Sequence, residues 1–301
     1  MPDAIYHQGC TVIDAHMIDQ ETVAVQFDDA STRVFDLVLF ADGFRSLGRR
    51  LLFPDVDVHY CGYVAWRGLL DERHLADSAP LESVLIKVLY REMPGHLMAY
   101  LVPGPDGSVA KGERTVNWLT YLVMPPEDLP HFLTDRSGHQ HPYSLPPGAI
   151  RPEEERRLAE LVAAHLPPYY AAIVTASRDT FAQPIYLVEP PGYHCGRICL
   201  IGDAGVVAPP ATGSGVLRGM TNAFELVTAL RGRNDLDAAL ATWDEEQTAM
   251  GRRFTTWGRQ MEQALIWAPP DLSQMDAAAV EEWWNRTAPP PSQSSYSAPR
   301  A

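Results

Sequence analysis

Gly202 and Asp203, with Pro209, Pro210, Gly213, Ser214, Gly215 and Val216 behind them, form the stretch best suited to hold a ligand. The apolar run at 197–201 (RICLI) leads into GDAGVVAPPATGSG, and a segment of helical apolar spacing opens at Val216. That order reads as strand, glycine-rich loop, helix. Backbone N–H groups at a helix start lack intrahelical partners and point outward. Together with the helix dipole they favour negative charge or an electron-rich carbonyl. Glycine lets a ligand come close to the backbone, and Asp203 at the strand end can accept hydrogen bonds from ligand hydroxyls. The same stretch also reads as an ordinary strand–loop–helix connection with Asp as a turn former, and the motif alone leaves both readings open.

A second stretch repeats the pattern. The run at 34–40 (VFDLVLF) is nearly all apolar, as expected of a strand covered on both faces, and it stops at Asp42 and Gly43. Arg45 and Arg49 follow, residues suited to a phosphate or carboxylate; an ordinary βα turn with solvated arginines is the alternative. Two apolar runs, each halted at an Asp/Gly pair, are expected to be neighbouring buried strands of one sheet that end at one ligand face.

The elements around these loops follow from spacing. Strand patterns cover 22–27, 62–70, 84–90, 96–102 and 115–124, with the turn PGPDG at 103–107. Strands in succession without long helices between them predict an antiparallel sheet over about 60–124, facing the 209–215 loop across a cleft that is the main apolar pocket. Its aromatic face can floor a pocket for a flat ligand. His96, Tyr100, Trp118 and Tyr121, with Pro210 from the loop, are the pocket candidates; ordinary core packing is the competing reading for each. Residues 125–150 read as an extended loop. Helices are expected over 152–166, stopped by Pro167 and Pro168, over 216–230, and over 236–267. In the second of these, Leu217, Met220, Phe224, Val227 and Leu230 recur every three or four residues, the pattern of a core-facing stripe. The tail after Arg286 (PPPSQSSYSAPRA ends it) has the composition of a disordered terminus.

The 301 residues carry a net charge of −14, and 46% are hydrophobic. An acidic surface repels nucleic acid and anionic lipid, and no apolar run approaches the length of a membrane span. The N-terminus, MPDAIYHQGC, has neither a basic n-region nor an apolar h-region, so the chain reads as cytoplasmic. Cys10, Cys61, Cys195 and Cys199 fit no zinc or CxxC spacing and are expected to be buried free thiols. His131, His139 and His141 sit in a polar loop and read as solvated rather than metal-ligating.

Taken together, VFDLVLFADGFRSLGRR and RICLIGDAGVVAPPATGSGVLRGMTNAFEL resemble the Asp-Gly and Gly-Asp motifs of the group A FAD-dependent aromatic hydroxylases, the para-hydroxybenzoate hydroxylase fold. YCGYVAWRGLLDE, GHLMAYLVPG, RTVNWLTYLVMPPEDLPHFLTDRSG and SLPPGAIRPE resemble the 2,6-dihydroxypyridine 3-monooxygenase-like branch. The resemblance runs over about residues 10–265. It implies an α/β (α+β) protein: an incomplete Rossmann-like FAD-binding domain at 1–55 and 180–270, an inserted, mostly antiparallel substrate domain at 56–179, and a tail at 286–301. It further implies that Asp203 lies by the flavin's ribityl chain and that the loop from Pro209 to Val216 lies along the ring. Asp42, Gly43 and Arg45 would lie toward the pyrophosphate. The implied reaction uses NAD(P)H, FAD and O2 to hydroxylate a small aromatic or heteroaromatic compound.

The chain departs from the family pattern in two places. No GxGxxG occurs before residue 10, and Phe40 stands where the family usually has glycine, a ring expected to crowd the loop. From the first departure the chain is expected to bind FAD weakly or not at all, and to aggregate unless a homodimer or partner covers an open sheet edge. The alternatives are a cofactor-free binding protein or an isomerase or cyclase on the same scaffold, and an inactive truncated fragment.

Overall fold

The structure, a computed structural model, describes residues 5–82, 85–90, 92–231 and 235–288, apart from the side chain of Asp179. It divides into two compact units, residues 1–59, 186–259 and 288–301 in the first and residues 60–185 and 260–287 in the second.

In the first unit, β1 (Val12–Met17), β2 (Val23–Phe27) and β3 (Thr32–Phe35) form an antiparallel meander. β4 (Val38–Phe40) belongs to a separate sheet. It pairs in parallel with β11 (Ile198–Leu200), which pairs antiparallel with β10 (His194–Cys195). The expected run at 34–40 is therefore two strands, broken at Asp36 and Leu37. Coverage on both faces also fails: Val34 is 58% and Leu39 45% exposed. An apolar run shows that a strand exists, but not which sheet takes it. The pairing of the second half is as expected, with Val38 opposite Ile198 and Phe40 opposite Leu200.

Three helices complete this unit's framework: α1 (Leu47–Leu52), α5 (Gly215–Leu230) and α6 (Leu236–Glu262), the last of which ends in the second unit's residues 260–262. Val23, Phe40, Tyr193, Leu200, Leu226, Leu240 and Trp243 make the core. α5 turns most of its expected stripe outward, and of that stripe Leu230 packs against the core. It buries Arg218, Asn222 and Leu226, while Val216, Leu217, Met220, Phe224 and Val227 are between 41% and 78% exposed. Hydrophobic periodicity is overruled by polar residues with fixed partners, Arg218 on Asp203 and Asn222 on the backbone of Gly202. An apolar stripe of this kind promotes self-association. Changing Met220 and Phe224 together to lysine is expected to shift the sedimentation profile toward smaller species; an unchanged profile would assign any association to another surface.

In the second unit, β5 (His59–Asp71), β6 (Ile86–Leu89), β7 (His96–Val102), β8 (Thr115–Val123) and β9 (Arg178–Leu187) form one sheet in the order β6-β7-β8-β5-β9. The pairs β6–β7, β7–β8 and β8–β5 are antiparallel. Against the sheet lie α3 (Pro152–His165) and α4 (Pro168–Thr175), whose Leu158, Val162 and Ile173 join Val64, Leu97, Val116 and Trp118 in the core. Pro168 both ends the run of α3 and opens α4. The expected 125–150 loop holds the one-turn α2 (Leu129–Phe132), and α7 (Ala277–Thr287) closes the described chain. Val84, within the predicted strand at 84–90, and all of the predicted tail from residue 289 onward lie outside the described residues. A π-helical turn, Gln263–Trp267, follows α6; single π turns cluster at functional sites.

The cysteines are free but not uniformly buried. Cys199 is buried, and burial pushes its thiol up to about 12, whereas Cys10 and Cys195 are exposed. Among the described residues no helix is long and apolar enough to cross a membrane.

Candidate functional site

Because β4 and β11 run in parallel and in register, the chain leaves both at the same end of the sheet. The Ile201 N–H donates to the Phe40 carbonyl at 2.9 Å, and the loops at Asp42–Gly43 and Gly202–Asp203 start there side by side. Gly43, at φ +74°, makes the first turn in a left-handed conformation. The Asp42 carboxylate accepts the Leu47 N–H at 2.7 Å, and Ser46 caps α1 by accepting the Arg49 N–H at 3.0 Å. Arg45 is exposed. Arg49 is not a surface group awaiting a phosphate. It is buried, and its guanidinium donates to the carbonyls of Phe44, Asp203 (3.0 Å) and Ala204 (2.9 Å), strapping the two loops together. Nor does Phe40 crowd the turn. Its ring packs against Gly48, where a Cβ would fall 2.2 Å from it, so the missing side chain makes the room.

The second loop is held from several sides. Gly202, at φ +63°, donates its N–H to Asn222 Oδ1 at 2.9 Å, and Asn222 Nδ2 donates to Gln247 at 2.9 Å. Asp203 Oδ1 accepts from Arg218 Nη2 at 2.6 Å, while the carboxylate side chain stays 49% exposed. Pro209 seats against Gly258, where a Cβ would lie 2.7 Å from its ring. Pro210–Thr212 makes a 3₁₀ turn and Gly213, at φ +63°, turns the chain into α5. Ser214 occupies the cap position without a side-chain cap bond, its hydroxyl instead meeting that of Thr212 at 2.7 Å. The first-turn N–H groups of α5 are thus left to an outside acceptor. Open space of at least 4 Å lies where Gly213 and Gly215 would carry side chains. These residues fit a flat, electron-rich group resting on backbone with polyol hydroxyls near Asp203.

The second unit's sheet sorts its side chains by register. His96 opposite Tyr121, Met98 opposite Leu119 and Tyr100 opposite Asn117 share one face with Tyr63 and Arg67 of β5. Trp118, three residues from Tyr121, points to the other face. There it is fully buried in the core and donates its indole N–H to Ser177 at 2.7 Å. Trp118 is therefore a core residue, and the proposed pocket set loses it. On the remaining face, Asn117 donates to the Tyr100 hydroxyl, and the His96 and Tyr121 rings are 4.9 Å apart. His96 is fully buried, and neither ring nitrogen makes a well-formed hydrogen bond. Burial first, then the charge of Lys87, opposed by the Leu265 backbone, lowers its pKa to about 3, so the imidazole is neutral. Tyr63 donates to Glu262, and burial, followed by the Glu262 charge, pushes its pKa well up. Burial raises Tyr121 as well.

Residues outside the sequence-based set therefore matter to both sites. Arg218 and Asn222 had a readable signal, polar side chains on the otherwise apolar α5. Tyr63 and Glu262 are 199 positions apart and had none. Among the described residues no group of three His, Cys, Asp or Glu could hold a metal; His141 pairs instead with Asp135 at 2.8 Å.

Known proteins resemble the chain over most of its length. The FAD binding domain-like family matches residues 60–186. The chain is 27% identical over 248 residues to 2,6-dihydroxypyridine 3-monooxygenase of Paenarthrobacter nicotinovorans, covering 82% of this chain and 61% of that one. It is 26% identical to a salicylate hydroxylase of Pseudomonas putida, covering 87% of this chain and 61% of the relative. The structure of 2,6-dihydroxypyridine-3-hydroxylase from Arthrobacter nicotinovorans superposes with a TM-score of 0.80 at 25% identity, over 87% of this chain and 65% of that one. The chain thus spans about three-fifths of the length of the curated relatives it matches. It is a homologue of the group A FAD-dependent aromatic hydroxylases.

Proposed function

We propose that this chain serves FAD- and NAD(P)H-dependent hydroxylation of a small aromatic or heteroaromatic compound, with O2 as the oxygen source. The observation that carries the reading is the pair of Asp/Gly loops joined at one end of β4 and β11, beside the uncapped start of α5. When bound, FAD supplies the redox and oxygen-transfer chemistry. Gly202, Asp203, Pro209, Gly213, Ser214, Gly215 and Val216 hold its flavin side, and the first-turn N–H groups of α5 stabilise negative charge there. Asp42, Gly43 and Arg45 serve its phosphate side. His96, Tyr100 and Tyr121 present the substrate-orienting face of the second unit, and Pro210 belongs to the flavin loop of the first. A neutral His96 can donate to or accept from a ring hydroxyl or ring nitrogen. The four free cysteines fit a reducing compartment, the cytoplasm, and the exposed stripe of α5 fits a homodimer.

Titration with FAD and with riboflavin, followed by flavin fluorescence and the visible spectrum, tests the assignment. Saturable quenching supports the assignment and overturns the expectation, drawn from the missing GxGxxG, of weak or absent FAD binding. Gly215→Val, whose Cβ would enter open space with no neighbour within 4 Å, is expected to weaken binding at least tenfold with a nearly unchanged melting temperature. Stimulation of NAD(P)H oxidation by 2,6-dihydroxypyridine or salicylate, the compounds in the relatives' names, then tests the reaction. A folded protein that quenches neither flavin would reject the hydroxylase reading in favour of a cofactor-free one.

A further inference from the structure

Asp203 is held at both ends by arginines from different elements. Arg49 of α1 fixes its backbone carbonyl at 3.0 Å, and Arg218 of α5 fixes one carboxylate oxygen at 2.6 Å. The two arginines differ in what they secure. Arg49 joins loop to loop through carbonyls, a task of fold. Arg218 touches the carboxylate itself, and it does so from the interior: its side chain is 2% exposed, against 49% for Asp203.

A buried guanidinium is a costly way to fill space, since desolvation offsets much of the attraction to its partner. A methionine or leucine would pack the same helix face at no such cost. The Arg218 Nε also finds no hydrogen-bond partner, so the side chain is not arranged for greatest stability. Unsatisfied buried polar atoms call for an explanation, and function is a common one. Here the cation has one evident effect. It occupies Oδ1 from the inside and so fixes the side-chain torsions of Asp203, leaving the remaining acceptor positions of the half-exposed carboxylate directed to solvent.

We propose that Arg218 is a positioning residue that orients Asp203 to accept hydrogen bonds from the hydroxyl groups of a polyol-bearing ligand at the α5 loop. The inference rests on the flavin reading, in which the polyol is the ribityl chain. It assigns to Arg218 no contact with the ring. A ligand that lacks the polyol must therefore be indifferent to Arg218, and a merely structural role would not discriminate in this way.

The test uses the full chain and two flavins that differ only in that feature: riboflavin, which carries the ribityl hydroxyls, and lumiflavin, which carries a methyl group in their place. Affinities are read by fluorescence quenching for wild type, Arg218→Met, Arg218→Lys, Asp203→Asn and the Arg218→Met/Asp203→Asn pair. Arg218→Met is expected to weaken riboflavin about tenfold and lumiflavin less than twofold. Arg218→Lys, which keeps the charge, should fall between wild type and Arg218→Met. The double variant should bind riboflavin no worse than the weaker single one, since both changes remove the same acceptor geometry. Equal weakening of both flavins by Arg218→Met, no weakening of either, or losses that simply multiply in the double variant would each overturn the proposal. If the wild type binds lumiflavin as tightly as riboflavin, acceptance of the hydroxyls falls while the flavin reading stands. If it binds neither, the flavin reading falls and takes the inference with it.

Discussion

Replacing Asp203 by alanine is expected to cost the folded chain about 3–5 kcal/mol, the range for stranding one partner of a buried ion pair. The direction of burial decides the size. Arg218 is 2% exposed and, among the described residues, makes no other ion pair, so its charge stays in the interior without compensation. Removing the other partner should be far milder. After Arg218→Met the half-exposed Asp203 carboxylate is left to water, and a methionine fills the helix face, so the loss is about 1 kcal/mol. The double variant Asp203→Ala/Arg218→Met should recover most of the stability that Asp203→Ala loses, because the stranded charge is gone. Urea unfolding of the four proteins reads this directly. Equal costs for the two single variants would mean that water reaches the guanidinium and that its burial is not as the structure gives it.

That asymmetry also shows why the sequence was an incomplete guide to this site. The strand at 96–102 and the helix at 152–166 were legible from periodicity and from proline and acid placement, and the structure has them at His96–Val102 and Pro152–His165. The parallel neighbours β4 and β11 were legible too, because both runs stop at an Asp/Gly pair. α5 misled because its five apolar residues at helical spacing outvoted two polar ones, whereas fixed partners for Arg218 and Asn222 set which face turns inward. β9 went unread since RDTFAQPIYL carries Pro184 in its interior, which argues against a strand. For Trp118 the core reading holds over the pocket reading, and strand geometry carries the reason. Residues three apart on a strand face opposite ways, so Trp118 and Tyr121 could never line one pocket. The Tyr63–Glu262 pair belongs to a different class: no local pattern reports a contact across 199 positions, and only the fold brings the two together.

In the second unit, Glu72→Gln is expected to cost about 3 kcal/mol at pH 7, the lower end of the range for breaking a buried pair. Glu72 is 3% and Arg114 14% exposed, and they form a two-pronged pair, Nη2 to Oε1 at 2.5 Å and Nε to Oε2 at 2.9 Å. The Gly112 N–H adds a third bond to Oε2 at 2.8 Å. The cost sits at the low end because Glu82 remains on Arg114, at 2.8 Å. Glu82→Gln should cost clearly less than Glu72→Gln, since that carboxylate is 36% exposed and water already solvates it. The pH dependence follows from Arg114, whose hydrogen bonds are the main cause holding the Glu72 carboxyl down at about 2 from its ordinary 4.5. A carboxylate whose folded pKa is depressed contributes fully above its unfolded value and loses that contribution as the pH falls toward its folded one. The stability gap between wild type and Glu72→Gln should accordingly be constant from pH 7 to about pH 5.5 and shrink steadily from there toward pH 3. Denaturant midpoints of the two proteins across that range measure the gap. A gap that stays flat down to pH 3 would show that Glu72 contributes by packing, and not as the ionised partner of Arg114.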